Sequence, residues 1–124
     1  MRRGEAEALV GETVEAWTAM NGTYVGVLEE VIPRRPWRAR VRVTGVLKGP
    51  AFEWARGDRQ RVGFREGDVI EVGGVNVGGT DKAGVPYAEA MRQELEHVRS
   101  LDFGGREHLK GRIVAMYEKL AAEG

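Results

Sequence analysis

From Trp37 to Leu47 the chain alternates apolar and polar side chains with a period of two. Trp37, Ala39, Val41, Val43 and Leu47 fall on one parity, and Arg38, Arg40, Arg42 and Thr44 on the other. Only an extended strand sends successive side chains to opposite faces, so the stretch predicts a strand buried on one face and wet on the other. A helix would scatter the same apolar residues around its axis. Such a strand cannot stand alone. The rest of the chain must supply neighbours for its edges and a layer over its apolar face.

The preceding residues supply neighbours. Glu12 to Met20 carries β-branched and aromatic residues, and Asn21-Gly22 then offers the pair that a two-residue type I′ turn prefers. Thr23 to Ile32 reads as the second strand, with Gly26 inside it marking a bulge, bend or covered position. Pro33-Arg34-Arg35-Pro36 interrupts the ladder because its prolines lack an N–H. With the turn centred between Arg34 and Arg35, Leu28 lies opposite Val41 and Glu29 opposite Arg40. Residues 1–11 carry no firm pattern, although Glu5 to Val10 fits a helical turn.

Beyond Lys48-Gly49-Pro50 an irregular connection covers residues 51–60. Arg61 to Phe64 predicts a short strand and Val69 to Val72 another. Gly73-Gly74 predicts a second tight hairpin returning through Val75 to Val77. After the Gly-rich residues 78–86 the period changes to that of a helix. Tyr87, Met91, Leu95 and Val98 share one face of a helix over about 86–101. Leu101-Asp102-Phe103-Gly104-Gly105 breaks it, and Asp102-Phe103-Gly104 is taken as the turn between helices. Leu109, Ile113, Met116 or Tyr117, and Leu120 mark a second helix over about 105–122, so the two form an antiparallel hairpin.

Gly67-Asp68-Val69-Ile70-Glu71-Val72 resembles the Gly-Asp-x-Val opening of a strand common in SH3-like barrels, including KOW-type modules. Gly26-Val27-Leu28 is similar to the first Sm motif. The resemblance implies a fold and no function. The expected class is therefore α+β: one domain over 1–124, with a small SH3-like β-barrel of five or six strands over 12–77. A linker over 78–86 and a C-terminal helical hairpin over 87–122 complete it.

Charge concentrates around the same strand. Between Arg34 and Arg65 lie ten cations and two acids, +8 in a chain of zero formal charge, interleaved with Trp37, Phe52, Trp54 and Phe64. Guanidinium groups pair with phosphates, and aromatic faces stack on bases without reading sequence. Arg38, Arg40, Arg42, Phe52, Trp54, Arg56, Arg59 and Arg61 are accordingly the candidate nucleic-acid-binding residues, with RNA or a ribonucleoprotein as the partner. The competing reading is a solvated strand face balanced by Glu29 and Glu30. In that case the domain binds protein or self-assembles, forming a homo-oligomer through its C-terminal helices.

Other chemistry finds little footing. The chain has no cysteine, hence no disulfide, thiolate metal site or cysteine nucleophile. Glu94-x-x-His97 has the spacing of half a dimetal site but lacks its second half. Ser100 is the sole serine. A non-enzymatic binding module with no cofactor or metal is expected. No apolar run approaches the roughly 18 residues of a membrane span, and the N-terminus lacks a signal-peptide core. The expected location is cytoplasmic. Scarce amides with abundant charge point to a thermophilic source, although a GC-rich genome produces the same arginine bias.

Overall fold

The computed structural model of the protein describes residues 1–50 and 62–123. Its elements run α1 (Arg3–Ala8), β1 (Thr13–Trp17), β2 (Thr23–Ile32), β3 (Arg38–Lys48) and β4 (Val69–Gly73). A 3-10 turn (Gly74–Asn76), β5 (Val77–Gly79), α2 (Tyr87–Ser100) and α3 (Glu107–Glu123) follow. The strands form one antiparallel sheet in the order β4-β3-β2-β1-β5. The protein is thus α+β, with a sheet followed by two helices. Among the described residues no helix is long and apolar enough to cross a membrane.

Two expected turns and one expected strand are corrected. Trp17 pairs with Thr23, so residues 18–22 make a five-residue loop rather than a two-residue turn. Its closure uses Thr18, whose Oγ1 donates to the Gly22 carbonyl and accepts from the Asn21 N–H, while Gly22 alone takes a positive φ of +97°. Gly73-Gly74 does not turn a hairpin: the 3-10 turn carries the chain from β4 at one edge of the sheet to β5 at the other. The expected strand at Arg61 to Phe64 is absent over 62–64, while Arg61 lies outside the described residues.

That 3-10 connection dictates the sheet's shape. In a flat sheet, four strand-to-strand steps of about 4.8 Å would hold β4 and β5 roughly 19 Å apart. The 3-10 turn rises only about 2 Å per residue, so the sheet must curl until its edges approach. No hydrogen-bonded ladder joins β4 to β5. The observed sheet is curled and open, where a closed barrel was expected.

Curling needs bulges. The β2–β3 register slips between Thr23 and Tyr24, between Val25 and Gly26, and between Leu28 and Glu30. Leu28 faces Val41 as expected, but the slip leaves Glu29 unpaired in the ladder and sets Glu30 opposite Arg40. A Cβ at Gly26 would run into the backbone carbonyl of Arg42 and the side chain of Val41. The two strands close in where only glycine fits.

The alternation of β3 holds: Ala39, Val41 and Val43 are buried, while Arg40 and Arg42 are exposed. Near its end the parity changes, so Val46 is buried and Leu47 half-buried. A bridge between Val46 and Val85 brings the linker back to β3 and sets where α2 begins. Helix α2 buries Tyr87, Ala90, Met91, Leu95 and Val98, and α3 buries Ile113, Tyr117 and Leu120. Leu109, expected in the core, is only half-buried, and Tyr117 rather than Met116 takes the central position. Between the helices Asp102 Oδ1 accepts the Gly104 N–H at 2.8 Å. Lys110 Nζ donates to the Arg99 and Leu101 carbonyls, satisfying acceptors left open at the end of α2.

Candidate interaction surfaces

The structure brings three of the sequence-predicted residues together: Arg38, Arg40 and Arg42 line the outer face of β3. Each has an acid across a strand boundary. Arg38 Nε lies 2.7 Å from Glu71 Oε2, Arg40 Nη1 3.0 Å from Glu30 Oε2, and Arg42 Nε 3.0 Å from Glu29 Oε1. Arg40 also approaches Glu71 Oε1 at 3.9 Å. Exposed pairs of this kind contribute at most about 1 kcal/mol each. Their larger effect is on potential, because three cations interleave with three carboxylates over one patch. Phe52, Trp54, Arg56, Arg59 and Arg61 lie outside the described residues.

The parity of Trp37 places it on the buried face of its strand. It is half-buried, and its indole lies against the backbone of Gly74. Phe64 packs edge-on against Tyr24, with ring centroids 5.5 Å apart. Arg34 and Arg35 are exposed in the β2–β3 turn.

A second region is built around Tyr24, which is fully buried. Its hydroxyl donates to the Asn21 carbonyl and accepts the Phe64 N–H at 3.0 Å. Asn21 Oδ1 accepts the Gly63 N–H at 3.0 Å, clamping the β1–β2 loop onto the segment that follows residue 61. Burial pushes the Tyr24 pKa up to about 12, against the opposing pull of the Phe64 N–H. A second tyrosine holds the same segment from the helical side. Tyr87 donates its hydroxyl to the Val62 carbonyl at 2.6 Å, and its N–H goes to Glu66 Oε1. Burial raises the Tyr87 pKa, and the Arg65 guanidinium, 4.6 Å from the ring centroid, opposes that rise. Arg65 in turn reaches Glu123 of α3 at 3.2 Å.

Large apolar side chains are left in water around this clamp. Met20 is 41% exposed and Val62 38%, and the Asn21–Gly63 bond places their segments side by side. Trp17, one strand end away, is 37% exposed. Met20 borders a cavity of about 230 Å³, lined also by Thr18, Ala19, Gly22, Thr23, Lys48 and Gly49, whereas the Trp17 ring lies against Gly78 of β5. Lys48 makes no ion pair among the described residues. Glu94 of α2 packs on the Gly49 backbone, and burial raises its pKa, with His97 and Lys48 pulling the other way. Among the described residues no three histidine or acidic side chains converge on a metal position.

Sequence reasoning missed this surface. Asn21 was visible only as a turn residue, whereas its amide acts on a residue 42 positions away. The one signal was the pair of apolar residues, Trp17 and Met20, beside a polar turn.

No family model matches the chain, and no curated protein matches it. Its fold is similar to the crystal structure of kinase-associated protein B from Bacillus cereus. The TM-score is 0.66 and the identity 19%, covering 92% of this chain and 95% of that one. At that identity the likeness establishes a shared fold.

Proposed function

We propose that this protein is a non-enzymatic interaction module whose curled, SH3-like sheet presents the Trp17–Met20–Val62 surface to a polypeptide partner. The observation that carries the reading is the contrast in how side chains are satisfied. The arginines of β3 each have a carboxylate within 3.0 Å, whereas Met20 on the cavity, and Val62 and Trp17 in the adjoining segments, remain in water. Exposed aromatic and methionine side chains beside a concave surface suit a protein interface. Interleaved carboxylates lower the potential that a phosphate backbone would feel on β3, which favours this reading over the RNA one. The fold neighbour is described as kinase-associated. That description belongs to the neighbour, and it puts protein association among the roles this fold has taken.

The test has two arms. A photo-reactive side chain at position 20 is expected to yield one discrete adduct in an extract of the source organism. The same group at Glu118, on the outer face of α3, is expected to yield none. A mobility shift on mixed RNA and DNA at two salt concentrations supplies the other arm. Binding that falls steeply with salt, together with no adduct at position 20, would return the function to nucleic acid.

A further inference from the structure

We infer that Asn21 is a spontaneous modification site, where ring closure by Gly22 expels ammonia and leaves an isoaspartyl bond that unlatches the Tyr24 clamp. Its reactivity does not depend on what binds around Met20. The sequence holds two asparagines, Asn21 and Asn76, and Asn-Gly occurs once. The chemistry needs a backbone nitrogen that reaches the side-chain carbonyl of the residue before it. Glycine hinders that approach least, because it has no Cβ. Val77, after Asn76, is β-branched and crowds the same approach. Asn76 is nonetheless the more exposed of the two, so exposure and neighbour chemistry point to different residues.

The fold itself demands the labile pair. Asn21 Oδ1 accepts the Gly63 N–H at 3.0 Å, its carbonyl accepts the Tyr24 hydroxyl, and its N–H donates to Thr18 Oγ1 at 3.0 Å. Gly22 takes a φ of +97°, and a Cβ there would stand 2.6 Å from the Lys48 carbonyl oxygen and 2.7 Å from the Tyr24 hydroxyl. The clamp therefore needs an oxygen-bearing side chain at 21 and a glycine at 22. A chain poor in thermolabile amides keeps its one Asn-Gly where the geometry leaves little choice.

The reaction balances with water alone. The Gly22 nitrogen gives its proton to hydroxide and attacks Asn21 Cγ, and ammonia leaves as the succinimide ring closes. Water then opens the ring at either carbonyl. One opening gives aspartate; the other routes the backbone through Cγ and adds a methylene to the main chain. In the closed clamp Asn21 is pinned at three points and Gly22 is buried, so attack waits on local opening of the 18–22 loop. The aspartyl product keeps an oxygen for the Gly63 N–H. The isoaspartyl product does not fit, because the added methylene pushes Gly22 against Lys48 and Tyr24.

The test incubates the full chain at mildly alkaline pH, below its melting temperature, beside the peptide acetyl-Ala-Met-Asn-Gly-Thr-Tyr-amide. Peptide mapping follows the loss of each amide, and an isoaspartyl methyltransferase labels the isoaspartyl product. Conversion is expected at Asn21 and not at Asn76, more slowly than in the peptide. Tyr24→Phe opens the clamp and is expected to speed it roughly tenfold. Ile113→Val loosens the helical core without touching the clamp and is expected to leave the rate unchanged. The isoaspartyl form should show faster amide exchange at Gly63 and Phe64, whereas Asn21→Asp should exchange as the parent does. Any of five results overturns the proposal. These are an intact Asn21 in Tyr24→Phe once the peptide has fully converted, equal conversion at Asn76, and a parental rate in Tyr24→Phe. The others are an equal acceleration by Ile113→Val, which would mean reaction through global unfolding, and parental exchange in the isoaspartyl form.

Discussion

The outer face of β3 and the clamp around Tyr24 both use polar side chains, in opposite ways. On β3 each arginine meets its acid in water, at half-exposed positions, and the pairs hold no other part of the chain in place. At the clamp, a buried hydroxyl and a carboxamide satisfy backbone groups of a segment about 40 residues away. The first arrangement costs little to break, because water replaces each partner. The second does not, because its groups lose their partners where water is scarce. Charge density is therefore a poor guide to where this protein is held together. The apolar groups left open beside the clamp rest on its most firmly organised part.

Removing Tyr24 altogether should give the largest effect. Tyr24→Ala is expected to destabilise the protein by about 3–5 kcal/mol in a denaturant melt, as for other buried aromatic truncations. A loss under 1 kcal/mol would mean that the clamp region collapses around the gap, and the contrast with β3 would fail. Tyr24→Phe keeps the ring and deletes the hydroxyl, leaving the Phe64 N–H and Asn21 carbonyl without it. It should cost about 1–3 kcal/mol. If the loss appears together with faster amide exchange at Gly63 and Phe64, the clamp and not the core carries it.

The β3 face should respond weakly. A double-mutant cycle on Arg42 and Glu29 is expected to give a coupling of about 0.2–1 kcal/mol that shrinks with added salt. A salt-insensitive coupling above 2 kcal/mol would erase the distinction between the two regions. The smallest effect is a slope. The Glu94 pKa is raised chiefly by burial, so the folded chain holds that proton more tightly than the unfolded chain does. Stability should then decline as pH climbs from the ordinary glutamate range through the raised value. Glu94→Gln should flatten that decline in melts across a pH series, and a slope identical to the parent's would rule the residue out as its source.

By itself, the sequence determined the elements whose pattern is local. The period-two run over 37–47 decided the strand and which of its residues are buried, because a strand's faces alternate whatever lies beside it. The 3.6-residue stripes of Leu95, Val98, Ile113 and Leu120 likewise settled both helices and their inward faces. The register at Leu28 and Val41 was legible from the position of the turn, but Glu29 was displaced by a bulge that no local pattern announces. Only the tertiary structure decided where β5 pairs, which acid faces which arginine, and what Asn21 and Tyr24 do. The Gly73-Gly74 pair has the composition of a hairpin, yet it crosses from one sheet edge to the other, because curvature accumulated over all five strands brings those edges together. Likewise Asn21 carries a turn signal but bonds Gly63, a partner selected by how the sheet curls rather than by any neighbour in the chain.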